Sequence, residues 1–541
     1  MTAIQVMASC VLILAAASGR AQERQLAAAE QLGAVHFATS CTEPAQEGMD
    51  VAVALLHSFQ FSRAVEGFNA VLKRDPACAI AYWGIALSEW GNPFAPGLKD
   101  NAQLQLGRQS AASGTALRAK SERERAYIAA VGKLYEDSAT IPQPGRLARY
   151  RDAMRVLAAA NPQDDEAQIF YALALAAAED PQDKSYADLL KAGAILENLF
   201  ERQPDHPGLA HYIIHAYDVP ALAARALTAA RRYAQIAPDA PHALHMPSHT
   251  FTRLGYWQDS IASNTAAAAA ARREGQTAEE LHASDYQTYA YLQTAQDAAA
   301  AGLVDSLPQI KVRFDPRAAL SGAGPPAAGY FALAAIPARY ALERKDWQQA
   351  EQLAVHQTPF PYTEALSWFA RGLGAARLGH AAAATKAAGS LQKIHQRLMA
   401  AHEPYWAQQV QIQHLAISAW ALMAAGDAPA ALPRMRAAAD LEDRTEKSAM
   451  TPGPLAPARE LLGEMLLLVD EPAQALQQFE ATLTREPRRF GALYGAAHAA
   501  QLSGNPETSE KYFRQLLQVC ENADRPGRSE LQEAQRALPR D

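Results

Sequence analysis

The sequence predicts an all-α protein, a right-handed superhelical solenoid of about a dozen helical hairpins. Alanine-rich stretches, such as the run from Ala266 to Ala271, and the scarcity of β-branched stretches favour helix throughout. A repeated spacing indicates the hairpins. At four places an alanine is followed twelve residues later by a proline, and two of these prolines are 34 residues apart: Ala64 and Pro76, Ala192 and Pro204, Ala226 and Pro238, Ala475 and Pro487.

This unit resembles the tetratricopeptide repeat. That family has a small residue at position 8, a turn near position 15, alanine at 20, an aromatic near 24 and proline at 32, and here Phe68 and Phe479 follow Ala64 and Ala475 by four residues. Small residues let two helices approach closely, and the proline ends the second helix. One hairpin cannot bury its apolar face alone, so neighbours must stack. The resemblance spans roughly residues 45–520 and implies a concave groove lined by the first helix of each hairpin.

Placing the repeat along the chain predicts two arrays, residues 45–318 and 331–541, joined by a Gly/Pro loop at 319–330. A second loop-like stretch covers residues 92–99. Weaker hairpins are expected at 123–162, 166–204, 281–307 and 329–355. The better-registered hairpins are expected to begin near Ala45 to Met49, Ala79, Pro207, Pro241, Leu366, Ile412, Ala456 and Phe490.

The composition excludes some partners. With 541 residues the chain is too long for one compact core, and with 49% hydrophobic residues it is not disordered. The net charge of -7 and the lack of a basic face argue against nucleic acid. We therefore expect a protein, peptide or small-molecule ligand in the groove.

The first 21 residues read as a signal peptide, because an apolar run from Val6 to Ala17 precedes the small-residue cleavage site Gly19-Arg20-Ala21. Cys10 allows a lipoprotein site, although most of the apolar run follows it. No other segment is expected to cross a membrane. The protein is predicted to be exported, to the periplasm.

Removal of this leader leaves three cysteines, and an exported chain can hold a disulfide. Cys41 and Cys78 lie at loop-like positions, so we predict that they pair and attach the leading segment, residues 22–44, to the first hairpins. Two buried free thiols are the alternative. Cys520 is then left unpaired.

Histidines recur at equivalent positions of two adjacent first helices. In the repeat register, His211 and His245 take position 5 and His215 and His249 take position 9, so each pair is 34 residues apart. Positions three and four apart share a helix face. Asp218 takes position 12 on the same predicted groove surface.

Because packed helices lie about 8–10 Å apart, imidazoles on facing helices can share an ion. We therefore predict a site for zinc, copper, iron or manganese with His211, His215, His245 and His249 as ligands. Asp218 would supply an oxygen ligand or orient a ligating histidine. The alternatives are recognition of an anion or carboxylate, a proton relay, or a polar network that braces the groove.

Other candidates are expected on the groove. Glu460 and Glu464 form a carboxylate pair that could act as acid and base, although a solvated face is the plainer interpretation. Arg253 and Arg339 could bind a carboxylate. Trp83 and Trp90 form an apolar entrance, unless the leading segment covers them. The predicted groove residues are Trp83, Trp90, Asp218, His242, Arg253, His282, Asp285, Tyr289 and Arg339.

The run from His242 to His249 and the segments beginning at Cys78 and Pro452 are similar to exported bacterial tetratricopeptide proteins that are described only by their repeats, a resemblance that implies no activity. No serine-hydrolase elbow, phosphate loop or haem-attachment motif occurs. The leading hypothesis is an exported solenoid that binds a ligand or protein partner in a His-rich groove. The alternative is a metal-dependent hydrolytic or redox enzyme.

Overall fold

The computed structural model describes residues 30–95, 101–318 and 322–538, and within these ranges it contains helices and no strand. The predicted signal peptide lies outside the described residues. The helices are α1 (Glu43–His57), α2 (Phe61–Arg74), α3 (Ile80–Trp90), α4 (Asn101–Leu117), α5 (Glu122–Gly132), α6 (Gln143–Ala160), α7 (Asp165–Ala177), α8 (Ala187–Arg202), α9 (Pro207–Ala216), a 3-10 turn (Ala223–Ala226), α10 (Leu227–Ile236), α11 (Pro241–His245), α12 (Pro247–Leu254), α13 (Trp257–Arg273), α14 (Thr277–Gln293), α15 (Asp297–Arg313), α16 (Pro326–Glu343), α17 (Trp347–Gln352), α18 (Pro361–Arg377), α19 (Ala381–Ala400), α20 (Pro404–Ala424), α21 (Ala428–Asp443), α22 (Ala458–Leu468), α23 (Pro472–Arg485), α24 (Phe490–Leu502), α25 (Pro506–Val519) and α26 (Ser529–Ala537).

The all-α, tetratricopeptide-like solenoid is confirmed. Consecutive helices pack as hairpins along the chain, and α2, α8, α10 and α23 each end two residues before one of the four repeat prolines. The four repeat alanines are fully buried. Gly84 shows why small residues are needed at the hairpin contact, because a Cβ there would lie 2.2 Å from the ring of Phe68.

The apolar core has two large parts. One extends from Leu32 through the first helices to Phe251 and also includes Ala323. The other extends from Ala295 to Ala534. Helix α14 lies between them, is buried along almost its whole length, and packs against α13, α16 and α24. The segment that carries the histidines therefore lies where the two cores meet.

The predicted disulfide between Cys41 and Cys78 is present, and Cys520 is a buried free thiol. The described part of the leading segment packs onto the helices as expected. Phe37 is fully buried and stacks on Trp83 with ring centroids 4.9 Å apart. The disulfide and these contacts together attach residues 30–42 to the first hairpins.

Helix α16 begins at Pro326, inside the stretch 319–330 that was expected to be loop. The loop residues that the structure describes, 322–325, pack toward the first core through Ala323. None of the described helices is both long enough and apolar enough to span a membrane.

Candidate metal centre

Six buried histidines meet at the inner faces of α9, α11, α12 and α14, and they form two groups of three. The first triad is His211, His215 and His242, and the second triad is His245, His249 and His282. Within each triad the three candidate ligand nitrogens lie within 4.8 Å of one another. The triads adjoin, since the rings of His215 and His249 have centroids 6.1 Å apart and those of His242 and His245 lie 5.9 Å apart.

Each triad combines a pair of histidines four residues apart with one histidine from the next hairpin. The four histidines predicted from the repeat, His211, His215, His245 and His249, all lie in the centre. The four were expected as ligands of one site, but each pair four residues apart belongs to a different triad. The partner from the next hairpin is His242 for the first triad and His282 for the second. The sequence placed His242 and His282 on the groove surface but did not predict them as metal ligands.

Pro247 shapes the second triad. It lies between His245 and His249, and the helix is divided there into α11 and α12. Because proline has no backbone N–H, the carbonyl four residues earlier loses its usual helical partner and the helix bends. The division lies between the two ring-bearing residues, whose spacing of four residues places both imidazoles on one helix face.

The hydrogen bonds of the second triad fix the protons on two rings. Nδ1 of His245 donates to Oδ1 of Asn264 at 2.7 Å, and Nδ1 of His249 donates to Asp218 at 2.9 Å. Asn264 cannot be turned around, because its Nδ2 donates to the carbonyl of Ser260. In a neutral imidazole the other nitrogen then carries a lone pair. Yet the Nε2 atoms of His245 and His249 face each other at 3.0 Å.

The first triad has a similar arrangement. Nδ1 of His211 donates to the carbonyl of His57 at 2.6 Å, and Nδ1 of His242 donates to Glu279 at 2.9 Å. Nε2 of His242 is buried without a hydrogen-bond partner. Nε2 of His215 lies 3.1 Å from Nε2 of His211. Here the hydrogen bonds fix lone pairs on Nε2 of His211 and on Nε2 of His242, because the Nδ1 atom of each ring donates.

Burial favours the neutral form of His211, His215, His245, His249 and His282. It lowers the pKa of His211, His215 and His245 well below the usual value, and neighbouring histidines lower each further. Burial also lowers the pKa of His282 to about 3. Burial lowers the pKa of His249, with Asp218 acting in the opposite direction. Neutral imidazole is the form that binds transition metals.

The sequence suggested that the histidines face an open groove. In the structure they are buried instead. His211 and His245 are fully buried, and His215, the most exposed of the six, is 7% exposed. A buried segment of residues 445–455, here named the covering segment, crosses over the centre. Tyr286 connects the two, because its hydroxyl bonds to the carbonyls of Ala449 and Thr451 and lies 3.3 Å from Nδ1 of His249.

Asp218 acts as the orienting acceptor rather than as a ligand of either triad. Its carboxylate accepts from His249, from Nε of Arg253 at 2.9 Å and from Nζ of Lys447 at 3.1 Å. Burial would raise the pKa of Asp218, but the Lys447 and Arg253 charges lower it well below its usual value. A carboxylate behind a ligating histidine fixes its tautomer and increases its basicity.

The other predicted groove residues are occupied by protein groups. Arg339 is fully buried and binds Asp285 at 2.8 Å and the covering segment at the carbonyl of Gly453. Tyr289 is also fully buried, and its hydroxyl accepts from Arg489 at 3.1 Å. Arg253 likewise binds Asp218. Arg253 and Arg339 are therefore buried partners of carboxylates within the protein, and they are not exposed to an external ligand.

Two further groove assignments are corrected. Trp83 and Trp90 are buried, and the leading segment covers Trp83 through Phe37, which was the alternative interpretation. Glu460 is held by two hydrogen bonds from Arg489, and Glu464 pairs with Arg377 and Lys345. In the described part of the chain the ion-pair partners of both carboxylates are basic residues outside the histidine triads.

A third polar group was missed in the sequence. Glu166 accepts from Nε2 of His57 and from Nε2 of His206, each at 3.0 Å, and all three side chains are buried. Tyr212 lies 3.0 Å from Nδ1 of His57. These residues come from three different hairpins with no shared register, so the sequence contains no spacing that identifies them.

Comparisons with known proteins add no assignment. No family model and no curated protein matches this chain. The crystal structure of the APC/C hetero-tetramer Cut9-Hcn1 is 11% identical, with a TM-score of 0.34, over 92% of this chain and 90% of that one. The human IFIT1 dimer with m7Gppp-AAAA is 11% identical, with a TM-score of 0.38, over 90% of this chain and 96% of that one. Neither similarity assigns a function to this chain.

Proposed function

We propose that this protein is a metalloprotein that binds two transition-metal ions, one in each histidine triad. The observation that carries the proposal is the contact of Nε2 of His245 with Nε2 of His249 at 3.0 Å. Both Nδ1 atoms donate to oxygen acceptors, so two buried lone pairs point at each other. A buried acceptor without a donor costs about 1–3 kcal/mol. A cation between the two nitrogens removes that cost.

The geometry fits an ion. Metal–imidazole bonds of about 2.0–2.1 Å at angles near 90–120° place two ligating nitrogens about 2.9–3.6 Å apart. The facing nitrogens of the first and second triads, at 3.1 and 3.0 Å, fall in this range. The oxygen acceptors behind His211, His242, His245 and His249 supply the hydrogen bonds that ligating histidines require.

The ligand chemistry favours zinc, copper or iron. Imidazole suits these metals, whereas manganese prefers carboxylate and carbonyl oxygen, and neither triad contains a carboxylate. Three protein ligands leave a position open, as in catalytic metal sites. Metal-assisted chemistry on a small molecule is therefore favoured over the binding of a peptide in an open groove, because the covering segment occupies that space.

Export belongs to the same proposal. The disulfide between Cys41 and Cys78 fits an oxidising compartment, and the periplasm is the location that the predicted leader indicates. We expect the centre to be loaded there.

Elemental analysis of the chain without its predicted leader, purified untagged and reconstituted, tests the proposal. We expect two ions per chain in the parent and at most one in His242→Ala, which disrupts only the first triad, or in His282→Ala, which disrupts only the second. His356→Ala removes an exposed histidine and serves as the control. A reconstituted parent without metal, or triad variants with the parent's metal content, would overturn the proposal.

A further inference from the structure

A narrow cavity opens directly onto both triads. Its interior is small and admits a molecule of about one or two waters in size. Four of the six histidines line it: His215 and His242 from the first triad, and His249 and His282 from the second. An ion in either triad would thus have the cavity beside it.

The rest of the cavity wall is mostly apolar. It is formed by Phe94, Met246, Ala328 and Met450, with the neighbouring loops completing it. Phe94 stacks on His215 with ring centroids 3.9 Å apart. Among the described residues that line the cavity there is no Asp, Glu, Lys or Arg. Such a wall rejects strongly hydrated or highly charged molecules, because nothing replaces the water that they lose.

We propose that this cavity binds a small exogenous ligand, a molecule of about two or three non-hydrogen atoms with a lone pair for a metal ion, such as dioxygen or azide. The proposal rests on the metal centre proposed above and names the substrate class of that centre. The size of the cavity sets the upper limit on the ligand. The open position of a three-histidine site supplies the attachment point, and the shared cavity lets one ligand approach both ions.

Azide binding to the cobalt- or copper-loaded parent, followed by absorption after the metal content has been measured, tests the inference. Ala328→Leu on α16 and Met450→Phe in the covering segment fill the cavity from two separate segments of the chain, so one remains informative if the other misfolds. Ala334→Leu, on the same helix but outside the cavity lining, is the matched control. We expect a new absorption band in the parent and in the control, and azide affinity at least about tenfold lower in the filled variants at unchanged metal content.

The outcomes separate the two proposals. A parent that holds its metal but does not respond to azide, or filled variants that bind azide like the parent, would overturn the cavity assignment and leave the metal centre in place. A parent that holds no metal would overturn both.

Discussion

If the proposed metal ions are bound, removing them should lower the thermal stability of this protein measurably. Without an ion, the Nε2 atoms of His245 and His249 are buried acceptors that face each other at 3.0 Å. At about 1–3 kcal/mol for each buried acceptor without a donor, the metal-free second triad alone costs about 2–6 kcal/mol. The first triad adds to this cost through Nε2 of His242, which is buried without a partner.

This free energy converts into a shift of the melting temperature. Unfolding entropy is about 2.1 cal/mol/K per residue, or about 0.6 kcal/mol/K for a unit of about 270 residues, the length of the first predicted array. A cost of 2–6 kcal/mol then corresponds to a melting temperature about 3–10 °C lower. We expect the chelator-treated parent to melt lower by this amount, and stoichiometric zinc to restore the original value.

The assay is calorimetry or circular dichroism with and without metal on the parent and on His245→Leu/His249→Leu. Leucine has a volume close to that of histidine and removes both lone pairs. Asp218 keeps Arg253 and Lys447 as partners in this variant. Its response to metal should fall to that of the first triad alone. A parent whose melting is unchanged by chelation and by added metal would refute the lone-pair reasoning.

Three further predictions follow from single contacts. Asp218→Asn should weaken metal binding at the second triad about 10–100-fold, because it removes the carboxylate behind His249, and chelator competition would show this; equal affinity in parent and variant would contradict it. Cys41→Ser/Cys78→Ser opens a bridge between residues 37 apart and should lower the free energy of urea unfolding by about 4 kcal/mol, whereas no change would contradict attachment by the disulfide. Burial raises the pKa of Glu442 to about 7, so this carboxyl contributes stability below its unfolded pKa that is lost as pH rises through about 7. Glu442→Gln should therefore gain about 1–3 kcal/mol relative to the parent between pH 5 and pH 8.5, and an offset that stays constant with pH would count against this assignment.

The repeat made much of the fold predictable. The alanine and proline spacing located the hairpins, because those residue types are required where two helices touch and where the second helix ends. The same register brought His211, His215, His245 and His249 onto one inner face. The loop-like placement of Cys41 and Cys78 was enough to predict their disulfide.

The pairing inside the centre could not be read from the register. Equal positions in neighbouring hairpins would face each other only if the hairpins stacked without rotation. In the structure, His242 and not His245 completes the first triad, and it lies three residues earlier on its helix. Small rotations between hairpins accumulate from side-chain packing along the solenoid, and no single spacing in the sequence specifies them.

The burial of the centre could not be predicted from the sequence either. The covering segment lies far along the chain from the second triad, and Lys447 reaches Asp218 across a separation of 229 residues. The Arg339–Asp285 pair holds the segment at Gly453. The sequence predicted Arg253 and Arg339 on the groove surface. It contained no signal that the C-terminal half of the chain would fill that groove.

The alternatives of a structural network or a proton relay can be weighed within this one molecule. In the third group, Glu166 accepts from Nε2 of His57 and from Nε2 of His206, so these donors meet acceptors without an added ion, and Nδ1 of His206 is the ring nitrogen left without a partner there. The second triad lacks this complementarity, because Asn264 and Asp218 take the only protons of His245 and His249 and leave acceptor facing acceptor. A relay would need a proton between those two nitrogens, and burial lowers the pKa of both rings. A metal cation satisfies both lone pairs at once, which is why we assign the triads, and not the third group, as the metal centre.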